Sequence, residues 1–411
     1  MSRDERMILD LLLDRYERSR HYREPGASRR AVFLRFDRAT LPDYWDERRG
    51  ERRLELNQAV RNLAREGLIE LRLSRYSREE VERVDLVLER LDEAYRRAGR
   101  TPRRAREAQL AAVAEAWAER WAESGDWRHT FAARVAGAVH AGEPLPARLT
   151  PDDGPLLGEL CRVLNKLGPA GLADEEPRRL FSQRVLGNSK RLEAIQGRLL
   201  RVLREFCPEP LPEDDREALA ELGIVENPQH VLVAGPLVIG GLDIGSTGSD
   251  VGLSAPFVKR CTVTAVEADR VITVENLTSF HQLVSVLPPR TVAVYLGGYP
   301  GPLRRRFLEK LSAVRPLAFS HWGDIDLGGF RIFVHLRGHT GLPIAPLLMD
   351  VETYRQYRSA GMPFDERYGR RLAALLDQPA YAPFWPVIRA MLADGLRVEQ
   401  EAIPAEMVGG P

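Results

Sequence analysis

Two acidic motifs in the second half of the chain have residues suited to metal chemistry. Glu275 follows the apolar run VITV, and Asp324 and Asp326 follow another apolar run as an Asp-x-Asp pair. In an extended chain, residues i and i+2 point the same way about 7 Å apart, so this pair can address one site. Oxygen ligands without His or Cys are the set that Mg²⁺ or Mn²⁺ prefers. Gly328 and Gly329 come next, and they would let the backbone approach a phosphate closely at a helix start.

These acids need a sheet to bring them together, and the sequence from about residue 220 predicts one. Short apolar runs rich in β-branched residues alternate there with helical segments at 303–313 and 330–336. Such alternation favours a buried, largely parallel sheet that binds ligands at the carboxyl ends of its strands. The predicted strands are 230–234, 262–266, 271–275, 291–296, 316–320 and 342–348.

The first hundred residues predict a small winged-helix-like and arm region. A helical apolar stripe ends at Gly67 and precedes a strand-like run at 68–73, which is the order of a winged helix. Ser77 and Glu80 have the spacing of a capping box and predict a helix over 81–95 with heptad-spaced apolar residues. That helix could be an arm, a dimer seam or a plain amphipathic helix.

The middle of the chain is predicted to be helical. Amphipathic helices are expected over 104–122 and within 156–206, and Ser189 is a candidate cap of the last one. A Pro/Gly/Asp-rich stretch at 142–155 is the best candidate linker. The predicted fold class is therefore multidomain α+β, with two helical regions before a C-terminal α/β domain.

Composition excludes several classes of protein. Sixty basic residues oppose 59 acidic ones, so the net charge of +1 identifies no partner, although a basic groove could exist beneath a neutral total. Three cysteines without a CxxC pair exclude a disulfide framework and a cysteine zinc site, and they indicate a reducing cytoplasm. No run reaches the roughly 18 apolar residues of a membrane span.

Two histidines are a possible second metal motif. His335 and His339 have the i, i+4 spacing of zinc ligands on a helix. Gly338 is expected to interrupt that helix, and no third ligand follows closely. The sequence therefore disfavours a metal site at this pair.

The order of motifs resembles a known family. Strand–Glu, strand–Gly-Gly and strand–Asp-x-Asp–Gly–helix is similar to the Toprim domain of topoisomerases, primases and related nucleases. More specifically, five segments resemble the JetD family, the D subunits of Wadjet plasmid-defence systems, which are related to the A subunit of topoisomerase VI. The resemblance covers roughly residues 180–404. The segments are FSQRVLGNSKRLE (181–193), TVENLTSF (273–280), YLGGYPG (295–301), HWGDIDLGGFRI (321–332) and RVEQEAIP (397–404).

This resemblance implies a domain order and a catalytic set. It predicts that Glu275, Asp324 and Asp326 bind Mg²⁺ or Mn²⁺ and are catalytic. The predicted domains are a winged-helix-like or arm region (1–100), a helical arm and linker (101–150), a CAP-like winged-helix DNA-binding region (151–225) and a Toprim catalytic domain (226–411).

Further candidates are weaker. Lys190 lies at a predicted helix start, where a phosphate contact and an ordinary solvated cap are both open. The arginines after the Gly-Gly turn could contact a DNA backbone or lie on a solvated face. The DNA-binding candidates are Arg184, Lys190, Arg304 and Arg305. The candidates for a place near the metal are Asn276, Glu399 and Glu401.

The tyrosine distribution bears on the nucleophile. Topoisomerase relatives attack DNA with a tyrosine of a winged-helix domain, but this chain has no tyrosine from Pro151 to Val294. The five tyrosines before that stretch are interpreted as core or surface residues. A water activated by the metal is therefore the better candidate nucleophile. The five are Tyr16, Tyr22, Tyr44, Tyr76 and Tyr95.

The resemblance thus predicts a metal-dependent endonuclease subunit that cuts plasmid DNA. Its expected partners are double-stranded DNA, an SMC-like ATPase complex with a kleisin and accessory subunits, and a second copy of itself. The chain contains no GxxxxGK[ST] motif, so any ATP-driven step would belong to a partner. The alternative is a DNA-binding regulator or scaffold with a catalytically silent Toprim fold. A primase or reverse-gyrase activity is disfavoured, because the tyrosine and zinc motifs of those enzymes are missing.

Overall fold

A computed structural model of the chain describes residues 1–24, 30–46, 50–77, 79–122 and 125–409. The chain divides into two units, Met1–Arg120 with Ala132–Leu157, and Trp121–Phe131 with Gly158–Pro411. None of the helices in the described ranges combines the length and apolar character needed to cross a membrane.

The first 120 residues contain helices and a small antiparallel sheet. The helices are α1 (Arg3–Glu17), α2 (Arg20–Arg23), α3 (Gly50–Arg65), α4 (Leu91–Ala98) and α5 (Arg103–Arg120), and the strands are β1 (Phe33–Arg35), β2 (Ile69–Leu73) and β3 (Val81–Leu86). The strand order is β1–β3–β2. Gly67, with a φ of 74°, ends α3 before the β2–β3 hairpin, so the predicted order of helix, glycine and hairpin is observed.

The predicted helix over 81–95 is wrong. Its first part is the central strand β3, which pairs with β1 on one side and β2 on the other, and α4 begins only at Leu91. Two β-branched residues, Val81 and Val84, are buried in that strand, where such side chains pack well. The Ser77 hydroxyl accepts a hydrogen bond from the Glu79 N–H (3.3 Å) in the connection between β2 and β3 and caps no helix. A dimer seam made by this predicted helix is therefore excluded.

The middle of the chain is helical, as predicted. The apolar face expected on the helix Arg191–Phe206 (α9) is buried at Leu192, Ile195, Leu199 and Leu203. Helix α9 begins with Lys190 at its N-cap and not with Ser189, and the Lys190 N–H donates to Asn188 Oδ1 (2.9 Å). The elements are α6 (Trp127–Ala141), α7 (Gly154–Leu167), α8 (Arg178–Leu186), α9 (Arg191–Phe206) and α10 (Asp215–Glu221), with the parallel pair β4 (Glu176–Pro177) and β5 (Ile224–Val225).

The C-terminal part contains a six-stranded mixed sheet. The strands of this part of the chain, in this sheet and in two smaller ones, are β6 (His230–Ala234), β7 (Leu237–Ile239), β8 (Leu242–Asp243), β9 (Val251–Ser254), β10 (Val263–Val266), β11 (Arg270–Val274), β12 (Thr291–Tyr295), β13 (Ala318–Trp322), β14 (Ile344–Pro346), β15 (Met362–Pro363) and β16 (Leu396–Arg397). The sheet order is β14–β13–β11–β12–β6–β9. The first four of these strands run parallel, whereas β6 and β9 pair antiparallel. The predicted parallel-rich sheet is thus present.

Helices cover the strands of this sheet. They are α11 (Ala255–Arg260), α12 (Leu277–Ser285), α13 (Pro302–Ser312), α14 (Leu327–Thr340), α15 (Val351–Tyr357), α16 (Glu366–Ala373) and α17 (Trp385–Asp394). The central strands are buried along consecutive residues, as expected for parallel strands covered on both faces. The largest apolar core of the molecule lies here.

Most predicted boundaries in this part hold within one or two residues. The strand expected over 316–320 is shifted to 318–322, where it pairs with β11, because Pro316 cannot donate to the ladder. The strand expected over 262–266 joins β7 and β8 in a separate antiparallel sheet. The predicted break at Gly338 is wrong, since α14 continues to Thr340 and a helical glycine costs only about 1 kcal/mol. The bounds of the four predicted domains stay predictions.

Candidate active site

The three predicted acids lie at the same edge of the sheet. Strands β11 and β13 are parallel neighbours with Val274 opposite Trp322, so both end at the same level. Glu275 follows β11 directly, and its N–H still donates to the Trp322 carbonyl (3.1 Å). Asp324 and Asp326 leave the end of β13 in the adjoining loop. The parallel register therefore brings together carboxylates that are far apart in sequence.

A glycine makes room for the first carboxylate. The Asp324 N–H donates to Glu275 Oε2 (3.3 Å), which fixes the orientation of this side chain. A Cβ atom on Gly323 would lie 2.5 Å from the same oxygen. The Glu275 carboxylate therefore occupies space that only glycine at position 323 leaves open.

Asp326 begins the helix that follows. Its Oδ1 accepts the Gly329 N–H (2.8 Å) as the N-cap of α14, and its Oδ2 lies 3.5 Å from Nη1 of Arg397. A Cβ on Gly329 would overlap the Asp324 carbonyl oxygen, whereas Gly328 is exposed. The sequence predicted that both glycines allow a close approach of backbone to phosphate. In the structure, Gly329 allows a close approach within the protein, and only Gly328 faces outward.

The electrostatics of the cluster favour a bound cation. Burial, and then the charges of Asp324 and Asp326, hold the pKa of Glu275 well above its usual range. Burial and the Asp326 charge raise the pKa of Asp324 to about 7. Throughout the described part of the chain, neither Glu275 nor Asp324 has a Lys, Arg or His ion-pair partner. Only Asp326 has such a partner among the described residues, Arg397, so three clustered carboxylates face one cation and fit a site for Mg²⁺ or Mn²⁺.

Gln400 is a site residue that the sequence reasoning missed. It is fully buried, and its N–H donates to Asp324 Oδ1 (2.6 Å). Its side-chain oxygen accepts the Asn276 N–H (2.9 Å), and its side-chain nitrogen donates to the Trp322 carbonyl (3.0 Å). Gln400 thus fastens the C-terminal segment to the ends of both site strands. The motif RVEQEAIP contains this amide between Glu399 and Glu401, the two acids that the sequence predicted near the metal.

The weaker candidates near the metal lie around Gln400. Asn276 caps α12, and its Nδ2 donates to Glu401 Oε1 (2.6 Å). Glu399 and Glu401 are exposed, and their negative charges raise the pKa of Asp324 further. The structure therefore places all three candidates beside the carboxylates, while their roles stay predictions.

A cavity of about 320 Å³ opens over the carboxylates. Its walls bring acidic, basic and phenolic groups to the site, and burial raises the pKa of Glu217 among them. Two tyrosines that the sequence analysis did not consider lie here, both after the tyrosine-free stretch. The wall residues with polar side chains include Glu217, Tyr299, Arg331, Tyr368 and Arg371.

Two of the predicted DNA-binding arginines point into the protein. Arg304 lies beside the buried carboxylate of Glu175, and burial lowers the pKa of its guanidinium. Arg305 forms an ion pair with Glu221, and the two side chains are 15% and 6% exposed. In this conformation both guanidinium groups are directed toward carboxylates of the same unit.

The other two basic candidates are exposed. Arg184 donates from Nε to Glu176 Oε1 (3.1 Å) on the neighbouring strand β4. Lys190 is exposed at the start of α9. Neither residue lines the cavity over the carboxylates. The DNA-binding role of all four basic residues stays a prediction.

Comparison with known proteins identifies the family. Residues 238–410 match the family model described as Wadjet protein JetD, C-terminal, a range that contains the three carboxylates and Gln400. The chain is also 30% identical over 412 residues to the Wadjet protein JetD of Bacillus cereus (strain Q1), with 98% of each chain covered. This similarity extends through the N-terminal region, beyond the 180–404 range of the sequence resemblance. The chain therefore belongs to the Wadjet JetD family, as its motifs predicted.

Proposed function

We propose that this chain is the DNA-cutting subunit of a Wadjet defence complex. In this proposal its C-terminal part is a Toprim-type nuclease that hydrolyses phosphodiester bonds of plasmid DNA in the cytoplasm. The observation that carries the proposal is the convergence of three carboxylates at the ends of β11 and β13. Two of them have raised pKa values and no ion-pair partner among the described residues. Membership of the JetD family supports the defence role.

The residues would divide the work as follows. Glu275, Asp324 and Asp326 would hold Mg²⁺ or Mn²⁺ through their oxygens. A divalent cation held there polarises a phosphoryl oxygen, lowers the pKa of a water and stabilises the leaving oxygen. Gln400 would keep Asp324 in place through its N–H, since this hydrogen bond (2.6 Å) restricts the side chain. Gly328 is exposed at the start of α14, so its own N–H would be the backbone group that approaches a phosphate, since the Leu327 and Gly329 N–H groups donate to Tyr368 and Asp326.

Water is the proposed nucleophile, because the tyrosines at the cavity are poor ones. The Tyr368 hydroxyl accepts the Leu327 N–H (2.7 Å), and burial together with the Asp326 charge raises its pKa to about 12. Burial also raises the pKa of Tyr299 far above its usual range. Both phenols are therefore harder to deprotonate than an ordinary tyrosine, and a tyrosine must lose its proton to attack.

The proposal includes partners that supply recognition and energy. Because the chain lacks a P-loop motif, we assign ATP hydrolysis to an SMC-like ATPase with its kleisin. Cutting both strands is simplest with a C2 homodimer that places one site on each strand. Light scattering should find a dimer of the isolated chain. A monomer that persists at high micromolar concentration, with and without DNA, would exclude the dimer.

The decisive experiment is cleavage of supercoiled plasmid by the free chain and by the assembled complex, with Mg²⁺, Mn²⁺ or EDTA. Asp326→Asn should abolish cutting, because the amide still caps α14 but supplies no charge. Asp350→Asn is the matched control, since Asp350 caps α15 in the same way, accepting the Thr353 N–H (2.8 Å) outside the site. If the assembled complex containing Asp326→Asn cuts at the wild-type rate while the free chain does not cut, another subunit does the cutting, which favours the alternative of a scaffold with a silent site.

A further inference from the structure

A second cluster of possible metal ligands lies between α10 and α14. His335 and His339 are one turn apart on α14, with ring centroids 3.9 Å apart and an interplanar angle of 27°. Glu221, the last residue of α10, faces them. One ligand atom from each of the three residues lies within 4.8 Å of the others. The third ligand that the sequence lacked nearby thus comes from a distant segment.

Hydrogen bonding leaves a lone pair of His339 open. Its Nδ1 lies 3.0 Å from the His335 carbonyl oxygen. A carbonyl can only accept, so Nδ1 has the proton and Nε2 keeps its lone pair. A second ring nitrogen fixed to a backbone carbonyl is the usual arrangement of a metal-binding histidine.

Glu221 and His335 each have one buried side-chain atom without a hydrogen-bond partner. Nε2 of His335 lies 2.9 Å from Oε1 of Glu221, yet it forms no hydrogen bond, and Oε2 of Glu221 is also unpartnered. The side chains of Glu221 and His335 are only 6% and 10% exposed, so water does not readily satisfy these atoms. Two ligands of one tetrahedral zinc ion would lie about 3.3 Å apart. The ligand atoms of this cluster all lie within 4.8 Å of one another, so small side-chain movements would bring them to one ion. Buried polar atoms without partners are rare, and an ion between them would satisfy both.

The surroundings hold the carboxylate and leave a way in. Arg305 of α13 pairs with Glu221 Oε1, which positions the carboxylate and leaves Oε2 available. Both histidines line a cavity of about 750 Å³ together with Tyr299 and Arg331, so an ion and a water can enter. Two imidazoles and one carboxylate are a zinc set and not a magnesium set.

We propose that Glu221, His335 and His339 form a Zn²⁺ site whose fourth position opens to this cavity. The site is separate from the three carboxylates of the proposed nuclease centre, although α14 contributes to both. An ion bound there would fasten α10 to the helix that begins at Asp326. This inference does not depend on DNA cutting.

The test measures zinc on the full-length chain without a histidine tag. After incubation with Zn²⁺ and gel filtration, mass spectrometry of the metal should find one ion per chain, and a chromogenic chelator gives the affinity. His339→Ala should weaken zinc binding by at least about tenfold. His281→Ala, which changes an exposed histidine of α12 outside the cluster, should bind zinc as the wild type does. X-ray absorption should show nitrogen ligands at about 2.0–2.1 Å.

A wild-type chain that holds no stoichiometric zinc would overturn the proposal. So would equal zinc affinity in the wild type and His339→Ala. Because His339 is exposed, this variant is expected to fold, and circular dichroism checks that it does. Glu221→Gln provides a second variant, in which the amide keeps the shape but loses the charge; unchanged zinc affinity in this variant would remove the carboxylate from the site.

Discussion

Replacing Asp324 with asparagine should stabilise the metal-free chain while it removes the proposed activity. Asp324 is largely buried beside Asp326 and Glu275, and no described cation neutralises it. The amide has nearly the same shape, and its Oδ1 can still accept the Gln400 N–H that now lies 2.6 Å away. The substitution therefore removes a charge without removing the hydrogen bond that orients the side chain.

The expected size of this effect depends on pH. Burial and Asp326 raise the pKa of Asp324 from 3.8 to about 7 in the folded chain. A group whose pKa is raised by folding stabilises the protein fully below the unfolded pKa, and that stability is lost as the pH rises through the folded pKa. At about 1.4 kcal/mol per pKa unit, the loss is about 2 kcal/mol at about pH 5 and about 4 kcal/mol at about pH 8. Asparagine does not ionise, so it avoids this loss of stability. The raised pKa of Glu275 likewise lowers the stability of the metal-free chain as the pH rises.

Equilibrium urea unfolding in EDTA measures the difference. Asp324→Asn should have a higher free energy of unfolding than the wild type, and the gain should be larger at about pH 8 than at about pH 5. Asp350→Asn should show no such gain, and added Mg²⁺ should stabilise the wild type but not Asp324→Asn. Equal stability of both proteins at about pH 8, or a gain that does not change with pH, would refute the electrostatic argument.

Three further substitutions test the site. Gln400→Met keeps the volume but removes two buried side-chain hydrogen bonds, so urea unfolding should show a loss of about 1–3 kcal/mol together with slower plasmid cutting. Gly323→Ala places a Cβ 2.5 Å from Glu275 Oε2 and should lower cutting about 100-fold, whereas Gly197→Ala, which meets no neighbour, should leave it unchanged. Tyr299→Phe should leave the DNA ends unchanged, and denaturing gels should show no protein attached to DNA cut by the wild type or by this variant. A protein–DNA adduct that forms with the wild type but not with Tyr299→Phe would contradict hydrolysis.

The sheet and its acids could be predicted because their signals are local. A β-branched apolar run ends at Glu275 and a second apolar run precedes Asp324, and parallel strands must present such ends at one edge. The family motifs then assign the acids a role. By contrast, the spacing predicts a helix where the structure has β3, because Val81 and Val84 also fit the 3, 4 spacing of a helical apolar face. Pairing with β1 and β2, which local spacing does not encode, decided in favour of the strand.

What the sequence could not predict depends on contacts between distant segments. Gln400 meets Asn276 across 124 residues, and nothing in either segment alone indicates that contact. Glu221 reaches the histidines of α14 through the packing of α10, so a search for a nearby third ligand could not find it. The inward direction of Arg304 and Arg305 likewise depends on Glu175 and Glu221, which belong to another part of the chain.

The contacts around the carboxylates explain how a destabilised cluster can serve a cation. On a mobile loop, Asp324 and Glu275 would move apart, and a cation would have to order them again at an entropic cost. Here Gly323 brings the Asp324 N–H onto Glu275, Gln400 holds Asp324, and the cap of α14 holds Asp326. The carboxylates therefore cannot relieve their repulsion by moving apart, and the metal-free cluster relieves it by taking up protons instead. A divalent cation would offset the same repulsion on binding. A pre-ordered site of this kind would bind the proposed ion with little rearrangement, which is the condition for electrostatic stabilisation of a transition state.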